Sequence, residues 1–173
     1  MSEATNQPDP DMDSCDKHRI HEAGHAFIMR YLGVELKTVY SNCIDNGHGK
    51  VDKSGETIPA DIDDLRINHP ADMCKIAVAG YVSERIASGR GMLSQEDLGM
   101  ASSAARRVLI ASGTQPEQVD KEENELIEEM IQEVKQILQY PQNWKCVRAI
   151  AERLKIGPIH GNNEVDEIIS ATQ

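Results

Sequence analysis

The sequence predicts a mainly α fold of five or six helices with one small β-hairpin or sheet. Apolar residues recur at helical spacing through most of the chain after residue 16. Glycine and proline punctuate these stretches at Gly33, Gly89, the Gly113–Pro116 break and Pro141. Strand-like alternation is confined to one short region, Leu36–Ser41, which is followed by an Asn-Gly pair. A chain of 173 residues is long enough to bury a sizeable core, and residues 17–173 are expected to form one domain.

Residues 1–16 are polar, acidic and proline-containing, the composition of a disordered tail. A first helix is expected from Lys17 to Leu32, capped by Ser14 or Asp16 and stopped by Gly33. Leu36–Ser41 reads as a strand, Asn42–Gly49 as a turn, and Lys50-Val51 as the start of a return strand. Residues 36–41 could serve as an edge strand beside a cleft, or as part of an ordinary hairpin. Ser54–Asn68 reads as a loop or short helix, and its acidic run Asp61-Ile62-Asp63-Asp64 as solvated surface rather than an ion site. Helices follow at about 73–88, 96–112, 119–139 and 144–154, with a short last one at 165–170. In the first of these, the small residues Ala77, Ala79, Gly80 and Ala87 suit close approach to another helix.

Acidic residues outnumber basic ones, 29 to 18, giving a formal charge of −11. That balance argues against nucleic acid and anionic membrane surfaces as partners. Cys15, Cys43, Cys74 and Cys146 are widely spaced with no C-x-x-C pair, which reads as free thiols in a reducing compartment. The first residues contain no apolar signal-peptide core, and no run of 18 apolar residues occurs. A cytoplasmic, non-membrane protein is therefore expected.

The pattern with the most chemistry is His21-Glu22-Ala23-Gly24-His25. On a helix, residues four apart share a face, so both imidazoles can point at one metal ion. Glu22, next to the first histidine, can reach a water at that ion as general base without being a ligand. Ile20, Ala23, Phe27, Ile28 and Leu32 give the segment a buried face beside the histidines. A catalytic zinc takes three protein ligands. Glu84, on the 73–88 helix, leads the candidates for the third. Asp97 stands in the turn Ser94-Gln95-Glu96-Asp97 at a helix start, and His48, His69 and His160 lie in loop-like segments. A metzincin arrangement is excluded, because Ile28 and Tyr31 occupy the positions it needs for glycine and histidine.

His21–Ala26 resembles the signature of the FtsH-type ATP-dependent zinc metalloproteases. Ile76–Ile86 resembles that family's Gly-Gly-Arg-x-Ala-Glu helix, and Ser94–Ala101 its Ser-Asn-Asp-Leu-x-x-Ala-Thr segment. Ile150–Leu154 and Glu164–Ile169 resemble its C-terminal end, so the likeness covers about residues 17–170. It implies a zincin-like peptidase domain in which Asp97 is the third zinc ligand; Glu84, at the end of the matched helix core, would then stand behind the ligands or form a structural salt bridge. The Gly-Gly-Arg core reads Ala79-Gly80-Tyr81 here, and the chain has no G-x-x-x-x-G-K-[ST] loop for ATP.

The expected function is that of a zinc metalloendopeptidase with His21, His25 and Asp97 on Zn2+ and Glu22 as base. Its substrate would be a polypeptide, an unfolded segment or a small protein, unless a separate ATPase or unfoldase delivers it. The family's protease domains form hexameric rings, but without the ATPase half the ring does not carry over, and self-association stays open. The alternative is a non-catalytic, protease-like module that binds zinc or a partner protein. The intact Glu22 argues against it, since a structural metal site has no use for a base beside its ligands.

Overall fold

The computed structural model describes residues 8–45 and 51–172. In chain order the elements are α1 (Ser14–Tyr31), β1 (Leu36–Asp45), β2 (Val51–Pro59), α2 (Ile62–Asn68), α3 (Pro70–Ser88), α4 (Gln95–Ala111), α5 (Pro116–Gln139), α6 (Pro141–Leu154), β3 (Ile159–His160) and α7 (Gly161–Thr172). The described residues thus form a mainly helical fold with one small sheet, in agreement with the sequence. The helix added to the six expected ones is the short α2, whose N-cap is Asp61: its carboxylate accepts from the Asp64 amide.

Helix α1 is the centre of the molecule, with every residue from Glu22 to Met29 buried. It starts at Ser14, earlier than the sequence suggests, because Asp13 rather than Ser14 or Asp16 accepts from the amides of Cys15 and Asp16. At its other end Gly33 takes φ +76°. The Gly33 and Val34 amides then donate back to Arg30 and Met29, closing the helix as a Schellman turn.

Helix α3 packs closely on α1, as its small residues suggested. A Cβ on Gly24 would lie 2.1 Å from Ser83 Oγ and 2.9 Å from the Ala79 carbonyl oxygen. Only glycine at position 24 allows this separation. Ile28, Val78, Val134, Leu138, Val147 and Ile150, from α1, α3, α5 and α6, are fully buried in one continuous core.

The sheet order is β2-β1-β3, with antiparallel pairing throughout. Two expectations change here. Strand β1 is central rather than an edge, since Val39 pairs with Thr57 on one side and Ile159 on the other. An outer strand is β2, which runs to Pro59 through the stretch from Ser54 that reads as a loop or short helix. Its residues carry little apolar pattern of their own, so its conformation comes from backbone pairing to β1. The Asn46-Gly47 turn and His48 lie outside the described residues.

Cys15 and Cys43 form a disulfide, with Cα atoms 5.7 Å apart, tying the first turn of α1 to β1. This corrects the reading of four free thiols and removes the ground on which a reducing compartment was expected. Cys74 and Cys146 are free and buried. No helix of the described residues is long and apolar enough to cross a membrane.

Candidate metal centre

The two histidines of α1 point their Nε2 atoms at one place. His21 Nε2 and His25 Nε2 are 3.0 Å apart. Asp97, from the first turn of α4, approaches with Oδ2 at 3.2 Å from His21 Nε2 and Oδ1 at 3.6 Å from His25 Nε2. Among the described residues these three make a cluster able to hold a metal ion. Ligands at 2.0–2.2 Å from a tetrahedral ion stand about 3.3–3.6 Å apart, close to the spacings seen.

Each member of the cluster is aimed by a neighbour. His25 Nδ1 is 2.7 Å from the Ile76 carbonyl oxygen, which can only accept, so Nδ1 carries the hydrogen and Nε2 presents its lone pair. His21 Nδ1 donates in the same way to Glu84 Oε1 at 3.0 Å. Ser94 caps α4: its Oγ accepts from the Asp97 amide at 3.0 Å and donates to Asp97 Oδ2 at 2.8 Å. The helix N-terminus also favours the negative charge of Asp97.

Helix α3 supplies the space. A Cβ on Gly80 would lie 2.5 Å from the Nε2 atoms of both His21 and His25. Any side chain there would occupy the volume in which the two lone pairs converge. A cradle that only glycine leaves open, two imidazoles fixed in the ligating tautomer and a carboxylate all fit a divalent ion such as zinc.

The charges of the cluster are strongly coupled. Burial disfavours a charge on His21, but hydrogen bonds to Asp97 and Glu84 and the negative charges around it outweigh this and raise its pKa to about 10. Burial and the His21 cation lower His25 to about 4. Burial pushes the Asp97 carboxyl up, yet the histidines and Ser94 more than reverse that and hold it below its usual range. Burial raises Glu22 to about 7, against the pull of the His21 charge and the Thr57 hydrogen bond. Glu22 is 4% exposed, His25 6% and Asp97 5%, so this is a polar cluster set inside the core.

No protein-family model matches the chain, and no curated protein matches it at a significant level. The chemistry rests on these residues.

The other sequence candidates fall away from the cluster. Glu84 reaches the far nitrogen of His21 instead of the convergence point, so it orients His21 and is not part of the cluster. His69 is at the α2–α3 junction, exposed and 3.8 Å from Asp64. His160 is on β3 beside Thr38. Three contributors escape the sequence reading. Gly80 reads there as generic helix packing. Thr57, hydrogen bonded to Glu22, comes from a distant strand and has no local signature. His18 lines the same cleft, and its place three residues before His21 could have marked it.

The cleft has a volume of about 580 Å³ and runs along β2. Gly55, Thr57 and Pro59 line it together with Met73, Met92 and Met100.

Proposed function

We propose that the protein is a zinc-dependent peptidase in which His21, His25 and Asp97 hold the ion and Glu22 is the general base. The observation that carries this reading is Glu22 itself. A buried carboxylate next to three converging ligand atoms, yet outside that set, has no part in a purely structural metal site. The resemblance of the His21–Ala26 and Ser94–Ala101 segments to FtsH-type peptidases supports the same ligand set.

Zinc bound here would supply Lewis acidity toward water and a peptide carbonyl. The chain's own residues do the rest. The free edge of β2 would take up an extended polypeptide by backbone hydrogen bonds, which favours unfolded segments, or segments delivered by a separate unfoldase. Glu22 would accept a proton from the attacking water and give it to the leaving amine. The buried setting limits access by bulk water to this exchange.

The test is hydrolysis of a quenched fluorescent peptide by the zinc-loaded protein. Cleavage that stops on chelation and returns with zinc is expected. Zinc bound at one per chain with no cleavage of any extended peptide would favour a non-catalytic module.

Metal uptake should also release a proton. His21, with a pKa of about 10, is protonated at pH 7, His25 and Asp97 are not, and a ligand must present a bare lone pair. The His21 proton must therefore leave, and zinc affinity should rise about tenfold per pH unit while His21 stays protonated in the free protein. Calorimetry at pH 7 in buffers of different ionisation enthalpy should give at least one proton released per zinc. A value near zero would contradict a protonated His21.

A further inference from the structure

We propose that Thr57 is a positioning residue for the general base, holding one carboxylate oxygen of Glu22 from the strand that takes up the substrate. The proposal rests on the reading of Glu22 given above. Thr57 Oγ1 lies 2.9 Å from Glu22 Oε2 and 3.1 Å from the main-chain oxygen of Glu22. A threonine hydroxyl has one hydrogen to give, and both of these atoms accept. Beside the ionised carboxylate the hydrogen goes to Oε2, where the charge makes the stronger bond. When Glu22 takes a proton on Oε1, Oε2 becomes a weaker acceptor, and the hydrogen can turn to the main-chain oxygen. The hydroxyl is therefore paired in both states, and the proton goes from water to Glu22 to the leaving amine without passing through Thr57.

The same strand keeps the other oxygen clear. A Cβ on Gly55 would stand 2.9 Å from Glu22 Oε1, 2.6 Å from His18 Nε2 and 2.9 Å from the Tyr40 carbonyl oxygen. Glycine at 55 thus leaves room beside Oε1, while Thr57, two residues on, fixes Oε2. Because β2 is also the open edge of the sheet, one strand sets the register of both base and substrate. Loss of the Thr57 hydroxyl should disturb the chemical step and leave substrate pairing, which uses the backbone, in place.

The experiment compares the parent with Thr57→Val, which keeps the shape, and Thr57→Ser, which keeps the hydroxyl. All three should bind zinc alike. With the quenched peptide, Thr57→Val should lose about 10- to 100-fold in kcat with little change in KM, and Thr57→Ser should recover most of it. A second readout needs no turnover. In metal-free protein labelled at glutamate, the two Hγ protons of Glu22 should have separate NMR shifts in the parent and Thr57→Ser, and converge in Thr57→Val as the side chain is released. Unchanged kcat in Thr57→Val, or no rescue by serine, would overturn the proposal. If the parent cleaves no peptide, the peptidase reading fails on its own. The Hγ shifts then decide the positioning role: convergence confined to Thr57→Val supports it, and equal separation in all three overturns it.

Discussion

Replacing Gly80 with alanine is expected to abolish metal binding while leaving the metal-free fold intact. The added Cβ would stand 2.5 Å from both histidine Nε2 atoms, nearer than non-bonded carbon and nitrogen can approach. A ring that stepped aside would break the Nδ1 bond that aims it, His25 to the Ile76 carbonyl or His21 to Glu84, and would no longer present its Nε2 to an ion. Nor can the helices part locally, since α1 and α3 meet at Gly24, Ser83 and Ala79 one turn away. The metal-free protein can give up the His21–His25 contact and swing a ring, and alanine is better than glycine in a helix by about 1 kcal/mol. Zinc affinity should fall by more than the roughly 100-fold typical of changes outside the ligand set. Zinc analysis beside a circular dichroism melt would check this. Full zinc occupancy in Gly80→Ala would mean that the ion does not sit where the histidines converge.

Changing Glu22 to glutamine should do the converse, keeping the metal and removing the chemistry. Glutamine preserves the size of the side chain and can still accept the Thr57 hydrogen bond through its amide oxygen. It cannot take a proton from water. General-base catalysis is worth about 10²–10⁴ in rate, and a loss of that order in kcat, with zinc still at one per chain, is expected. Cleavage by Glu22→Gln at the parental rate would remove Glu22 from the mechanism. Loss of zinc from that variant would instead point to Glu22 as a ligand.

The parts of the site that lie close together in the chain were readable from the sequence. His21, Glu22 and His25 are joined by helical spacing alone, and Ser94 with Asp97 by the geometry of a helix cap. What brought Asp97 to the histidines was resemblance, since residues at 21 and 97 have no local relation; the structure puts its carboxylate within 3.6 Å of both imidazoles. Contributions decided by long-range approach were not legible. Strand β2 has too little apolar alternation to announce itself, and its Gly55 and Thr57 act only because pairing with β1 sets them over α1. The Cys15–Cys43 bridge has the same cause: β1 returns along α1, and 28 residues of separation hide the meeting. Gly80 was visible as a small residue on α3, but only the crossing with α1 turns that smallness into room for an ion.

The measurement that bears most directly on the metal centre is bound zinc per chain in the parent and in Asp97→Ala. Asp97 comes from a different helix than the histidines, so its removal tests the convergence of α1 and α4 rather than the motif alone. About one zinc per parent chain, largely lost in Asp97→Ala with the fold retained, is the predicted result. No zinc in the parent after supply at neutral pH, or equal zinc in the variant, would contradict a centre built from His21, His25 and Asp97.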